Sequence, residues 1–160
     1  AMNPCPCGNY GDAKATCTCS PYDIIRYNKK ISGPILDRID IIVQVQKMEF
    51  EEYFSKNVSE SSEKIRERVM KAREIQRKRY ADCGFISNSQ LSSKVLKKFV
   101  QLDEKSQDLL KLAVAKYNLS GRSIDKILKL SRTIADLEQS EQIKLNHVAE
   151  AIQYKTQGDE

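Results

Sequence analysis

Apolar side chains at helical spacing run through the chain from about residue 61 onward, and this pattern limits the fold more than any other feature. The segment from Gly121 to Glu138 is the clearest, because its apolar and small residues recur every three or four positions. Similar patterns predict further helices at about 63–81, 89–100, 105–117 and 146–154. We therefore expect a mainly α fold whose body is a helical bundle.

Composition favours a helical protein with a highly charged surface. Charged residues make up 31% of the 160 residues, and the mean hydropathy is -0.56. No run approaches the roughly 20 apolar residues of a membrane span, and no secretory signal pattern is present. We therefore expect a cytoplasmic protein without a membrane partner. The net charge of +5 permits a nucleic-acid partner but does not require one.

The first 60 residues predict less regular structure. Ser20 and Pro21 are typical of a helix start, and that helix should extend to about residue 30. The alternating run at 39–45, Ile-Asp-Ile-Ile-Val-Gln-Val, predicts a β-strand. A lone strand lacks a hydrogen-bonding partner, so we expect it to be marginal in isolation.

Arg38 lies between two acids, just before the predicted strand. A rigidly held guanidinium can stabilise the charge that develops on a phosphoryl group during transfer. The residues alone favour a simpler interpretation, in which Arg38 forms a surface salt bridge with Asp37, Asp40 or a neighbouring carboxylate.

Four of the five cysteines form two Cys-x-Cys pairs near the start of the chain: Cys5, Cys7, Cys17 and Cys19. Turn-forming residues between the pairs would let them fold toward each other. Four thiolates suit a structural zinc ion, although this spacing is tighter than the usual Cys-x2–4-Cys pair. The pattern also allows an iron–sulfur cluster, redox-active thiols, or reduced cysteines without a ligand.

Two further polar residues are candidates for a site. Asn3 precedes Pro4, and its amide could orient a water molecule, although Asn-Pro pairs are typical of turns. Arg122 falls in the first turn of a helix that Ser120 would cap, where its charge opposes the helix dipole. Arg122 could reach an anion beyond the helix, or it could cover apolar neighbours at the surface.

The predicted helix at 63–81 is rich in basic residues. Eight lysines and arginines between residues 64 and 79 stand against three glutamates. Such a helix could contact the phosphate backbone of a nucleic acid. A solvated face or a contact between subunits is the more common role for a surface of this kind.

Three motifs occur in one order: Met-Asn-Pro-Cys-Pro-Cys-Gly at 2–8, Ser-Gly-Pro-Ile-Leu-Asp-Arg-Ile-Asp at 32–40, and Ser-Gly-Arg-Ser at 120–123 followed by Thr-Ile-Ala-Asp-Leu at 133–137. Together they resemble the C-terminal part of magnesium-chelatase-like AAA+ ATPases of the bacterial ComM/YifB competence-protein type. The resemblance implies an α-helical lid domain at 61–160. It also implies that residues 1–60 are the tail of an AAA+ α/β core, with one helix, one strand and a cysteine knuckle.

The resemblance also implies roles for single residues. Arg38 would be the arginine finger that is offered to the ATP of a neighbouring subunit. Asn3 would be the sensor-1 residue that positions water, and Arg122 would be the sensor-2 residue that contacts nucleotide from the lid. The whole would be a ring-forming motor that uses ATP and Mg²⁺ and acts on DNA, in branch migration or as a helicase.

Two alternatives stay open. One is a magnesium-chelatase-type ATPase that serves metal insertion into a porphyrin. The other is a zinc-stabilised, non-enzymatic module that binds nucleic acid through the helix at 64–79. The chain has no Gly-x-x-x-x-Gly-Lys-Ser/Thr sequence and begins inside a motif. We therefore expect it to be an excised part of a longer protein and to be inactive as an ATPase alone.

Overall fold

The structure is a computed structural model that describes residues 1–12, 14–45 and 59–156. These ranges contain seven α-helices, a short 3-10 helix at Asn88–Gln90 and no β-strand. The helices are α1 (Pro21–Asn28), α2 (Gly33–Arg38), α3 (Ser62–Arg79), α4 (Ser93–Phe99), α5 (Glu104–Tyr117), α6 (Gly121–Leu137) and α7 (Leu145–Thr156). The prediction of a mainly α fold is confirmed. None of these helices is long and apolar enough to cross a membrane.

Helix α6 is the centre of the bundle. It packs against α3, α4 and α7, and α7 packs in turn against α5. Ile127 of α6 and Val148 of α7 are completely buried in the core that these helices share. As the sequence predicts, the Ser120 side chain caps α6 by accepting a hydrogen bond from the backbone N–H of Ser123.

A buried polar network joins α3 to α6. Arg132 and Asp136, four residues apart in α6, form the pair that helical spacing favours, with Nε of Arg132 donating to Oδ1 of Asp136 at 3.1 Å. Asp136 is completely buried and also forms an ion pair with Arg79. Arg79, although it belongs to the run of cations on α3, is therefore half-buried and faces this network. Two arginines around one carboxylate leave this buried charge well paired.

The strand predicted at 39–45 is absent from the described residues. Residues 39–45 have no strand ladder, and the backbone N–H of Ile42 donates instead to the carbonyl of Tyr154 in α7 at 2.9 Å. The physical reason is the missing ladder, because an extended segment becomes a strand only when a second one pairs with it. Ile41, Val43 and Val45 are exposed as a consequence.

A short helix, rather than a strand, holds Arg38. Gly33 and Pro34 occupy the first turn of α2, where proline is well tolerated because its missing N–H would have no partner. The helix ends at Arg38, and Ile39 has extended backbone angles. Arg38 is therefore the last residue of a single helical segment of six residues.

Candidate functional site

Asp37, which precedes Arg38, connects α2 to the first turn of α6. The hydroxyl of Ser123 donates to Oδ1 of Asp37 at 2.6 Å, and the hydroxyl of Ser120 donates to the same oxygen at 3.0 Å. Arg122 completes the group, with Nη1 at 3.7 Å from Oδ2 of Asp37. The Ser123 hydrogen bond, supported by that of Ser120 and the nearby cations, lowers the pKa of Asp37. Asp37 is therefore a carboxylate at neutral pH.

Two lysines bind the backbone of the same C-terminal end of α2. Lys155 of α7 donates to the carbonyls of Leu36 at 3.0 Å, Ile39 at 3.1 Å and Asp37 at 3.4 Å. Lys126 of α6 donates to the Asp37 carbonyl at 2.9 Å. Carbonyls at a helix C-terminus lack intrahelical donors, so these ammonium groups satisfy them.

We call the five residues whose side chains form these contacts between α2 and helices α6 and α7 the anchor cluster: Asp37, Ser120, Ser123, Lys126 and Lys155. The cluster brings together the segments of two predicted site residues, because Arg38 follows Asp37 and Arg122 lies between the two serines. Sequence reasoning did not identify the two lysines. Their partners lie about 90 or more residues away in the chain, so no local sequence pattern could have indicated these contacts.

Arg38 itself is exposed. Within the described ranges it forms no salt bridge with Asp37 or Asp40, the partners that the residues alone favour. Asp37 is engaged by α6, and Asp40 pairs with Lys126 at 2.8 Å. The anchor cluster thus fixes the backbone around Arg38 and leaves its guanidinium open to solvent.

Arg122 is also accessible, with 60% of its side chain exposed. Arg122 and Asp37 form an ion pair, but the distance of 3.7 Å between Nη1 and Oδ2 is too long for a hydrogen bond. Such a pair at the surface holds an arginine weakly. Arg122 can therefore exchange Asp37 for another anion at small cost.

The four clustered cysteines converge as the spacing predicts. Their sulfur atoms all lie within 4.8 Å of one another, and three of the separations are 3.4, 3.6 and 3.8 Å. Four sulfurs about 2.3 Å from one zinc ion would be about 3.8 Å apart. Gly8, with φ of +81°, and Gly11, with φ of +79°, form the turns that allow this approach.

The local backbone favours the thiolate form of one of these cysteines. Backbone hydrogen bonds with Asn9 and Thr18 lower the pKa of Cys7 to about 5. For Cys19 a backbone hydrogen bond with Cys7 acts in the same direction, but burial and the neighbouring thiols together raise its pKa to about 12. A cation at the centre would favour the thiolate form of all four.

Asn3 lies beside the first cysteine pair. A Cβ atom added to Gly8 would come within 3.9 Å of Nδ2 of Asn3, so the amide covers this turn. Asn3 is exposed, and the anchor cluster does not include it. Asn3 therefore lies near the cysteines, whereas the segments that carry Arg38 and Arg122 meet at Asp37.

The cations of α3 do not form one continuous face. Arg68 pairs with Glu60 at 2.9 Å, and Arg79 is committed to Asp136. By helical spacing, the exposed cations form two rows on either side of a row of acids. The basic rows are Lys64, Arg68, Lys71 and Lys78, and Arg66, Arg73 and Arg77; the acidic row is Glu63, Glu67 and Glu74. This alternation is typical of a solvated helix surface.

Two family models match the chain and together cover most of it. Residues 1–53 match "Magnesium chelatase, subunit ChlI", and residues 59–155 match its C-terminal model. The chain belongs to the magnesium-chelatase-like AAA+ family. The two matched regions meet near the boundary at residue 60 that the sequence predicts, although this boundary itself stays a prediction.

Relatives place the chain in the ComM/YifB type of that family. It is 41% identical to competence protein ComM of Haemophilus influenzae, 36% identical to YifB of Escherichia coli and 33% identical to YifB of Salmonella typhimurium. Each match covers 97% of this chain and 30% of the relative. The chain therefore spans about a third of the length of these relatives.

Proposed function

We propose that this chain is the C-terminal part of a ring-forming ATPase motor, in which Arg38 is the arginine finger for ATP bound to a neighbouring subunit. One observation carries the proposal: Arg38 is exposed and, among the residues that the structure describes, forms no salt bridge, while the anchor cluster holds the backbone on both sides of it. A fixed backbone with a free guanidinium is what a finger acting across an interface requires.

The residues of this chain would act by position and charge. Arg38 would place its guanidinium against the phosphoryl oxygens as their negative charge grows. Arg122 would leave Asp37 and contact the nucleotide of its own subunit, and Asn3 would orient the attacking water. The parent protein would supply the phosphate-binding loop and the Mg²⁺ ion that neutralises phosphate charge.

DNA is the substrate that we propose for this motor, in branch migration or helicase-type movement. The name of the Haemophilus relative, competence protein, favours it, and the net charge of +5 is compatible with it. The matching family model carries the description "Magnesium chelatase, subunit ChlI". That description favours a second candidate, an ATPase that serves metal insertion into a porphyrin. Salt-dependent DNA binding by this chain without ATP would favour the third candidate, a non-enzymatic module acting through α3.

We also propose a structural zinc ion at Cys5, Cys7, Cys17 and Cys19. The convergence of four sulfurs within 4.8 Å, with three separations close to those of a tetrahedral zinc site, supports it. Cys5 is the only one of the four that is completely buried, and the segment has few apolar residues with which to form a core. A closed four-thiolate shell would give this segment its fold and leave no position for catalysis.

The role of Arg38 can be tested by ATP hydrolysis in the full-length parent. We expect Arg38→Ala to lower kcat by about 10³-fold or more, the usual contribution of an arginine finger. The KM for ATP should change little, because the finger acts on the developing charge. Arg26→Ala is the control, since Arg26 is also exposed and pairs only weakly with Asp23 at 3.4 Å. Full turnover by Arg38→Ala would refute the assignment.

A further inference from the structure

We propose that Lys155, in the last turn of α7, is the positioning residue for Arg38. The inference rests on the proposed role of Arg38 and adds the residue that aims it. Lys155 touches neither nucleotide nor Arg38 in this proposal. It acts through the backbone carbonyls on either side of Arg38.

The hydrogen bonds of Lys155 support this role. Its ammonium reaches the carbonyls of Asp37 and Ile39, which lie immediately before and after Arg38, and the carbonyl of Leu36 one residue further back. An ammonium group has three donors and no fixed plane, so it can bind several carbonyls at once. The negative end of the α2 dipole also favours a cation at this point.

Burial strengthens the argument. Lys155 is only 7% exposed. A buried ammonium is costly without partners, so it strongly favours the geometry in which the three carbonyls surround it. A helix of six residues such as α2 is unstable by itself and depends on such tertiary contacts.

The anchor cluster joins Arg38 to the lid on two sides. Lys155 attaches the C-terminal end of α2 to α7, while Ser120 and Ser123 attach the Asp37 side chain to α6 beside Arg122. A movement of the lid that follows contact between Arg122 and nucleotide would therefore carry Arg38 with it. Nucleotide in one subunit would thus change the position of the finger offered to the next subunit.

Matched variants separate this role from a general effect on folding. Lys155→Met keeps the unbranched apolar part of the side chain and removes its donors, and Lys155→Arg restores charge and donors. Lys129→Met is the control, because Lys129 of α6 also donates to a backbone carbonyl, that of Ser89 at 3.1 Å, away from α2. Should Lys155→Met fail to fold, Lys155→Gln keeps an uncharged amide NH2 as donor and repeats the test with a smaller perturbation.

The experiment measures hydrogen exchange and ATP hydrolysis in the full-length parent. In Lys155→Met we expect faster exchange at the amides of Ile39 and Ile42, whose hydrogen bonds fix this segment. We expect kcat to fall by up to about 10²-fold, the cost of misplacing a group by about 1 Å. The KM for ATP should stay the same, Lys155→Arg should recover most of the turnover, and Lys129→Met should match the unchanged protein.

Three results would overturn the proposal, and they differ in what else they refute. Unchanged exchange at Ile39 and Ile42 would show that Lys155 does not hold α2, whatever Arg38 does. Faster exchange with unchanged kcat would show that the position of Arg38 does not depend on the anchor cluster. Full turnover in both Arg38→Ala and Lys155→Met would refute the finger itself, and the role of Lys155 with it.

Discussion

Ser123 donates a hydrogen bond of 2.6 Å to Asp37 across 86 residues of sequence. The two residues flank the arginines of the proposed mechanism, since Asp37 precedes Arg38 and Ser123 follows Arg122. This one contact therefore joins the segment that would act on a neighbouring subunit to the lid helix that would sense nucleotide. Its strength should depend on the charge of the Asp37 carboxylate.

The first prediction concerns the pH dependence of this contact. Because hydrogen bonds from Ser123 and Ser120 lower the pKa of folded Asp37 below 3.8, the contact stabilises the fold fully above that pH. The stabilisation should disappear as the pH falls through the lower, folded pKa. Carboxyl NMR titration should find the pKa of Asp37 below its ordinary value, and closer to that value in Ser123→Ala. A Ser123→Ala titration that coincides with the unchanged protein would contradict the assignment.

The second prediction concerns metal content. Freshly purified chain should contain about one zinc ion, bound by four thiolates. The double variant Cys5→Ser/Cys19→Ser should lose the metal together with the order of the first 30 residues, because this segment lacks an apolar core. Elemental analysis and NMR spectra of this segment measure the two effects.

Cys83 offers a control for the zinc experiment. It is exposed and lies outside the cluster, so Cys83→Ser should keep the metal. Chain that is free of metal, with all four clustered thiols open to alkylation, would refute the zinc site. The cysteines would then be turn residues or redox groups.

The third prediction concerns the buried network between α3 and α6. Asp136→Ala should leave the buried Arg132 and the half-buried Arg79 without their carboxylate and destabilise the fold by about 3–5 kcal/mol. Asp108→Ala removes a carboxylate from the exposed pair with Lys111 and should cost less than about 1 kcal/mol. Urea unfolding compares the two, and equal losses would contradict the network's role.

Local signals predicted a large part of this structure. The period of α6, the Ser120 cap and the pair of Arg132 with Asp136 all act within a few residues, so the sequence pattern reports them directly. The convergence of the cysteines was also predictable, because only nine residues with turn-forming glycines separate the pairs.

Long-range partners were not predictable in this way. Asp136 lies 57 residues from Arg79, and Lys155 lies 118 residues from Asp37, so neither pairing has a local signature. For the segment at 39–45 the local pattern was present, but the strand that it predicted is absent from the described residues. Its alternation is a genuine strand signal, but a strand also needs a pairing partner, and no pattern within the segment can supply one.

The most direct test of the central claim asks whether Arg38 acts on the ATP of another subunit. In the full-length parent, one variant carries Arg38→Ala and a second carries a replaced lysine in the phosphate-binding loop. Each variant alone should lack turnover, since one lacks the finger and the other lacks nucleotide. In an equal mixture, about a quarter of the head-to-tail interfaces would pair an intact nucleotide site with an intact Arg38.

The proposal predicts that mixing the two inactive variants restores ATP hydrolysis to a level well above that of either one alone. Rings that form normally, as light scattering would show, but stay as inactive as their components would contradict it. In that case Arg38 would act within its own subunit or not at all.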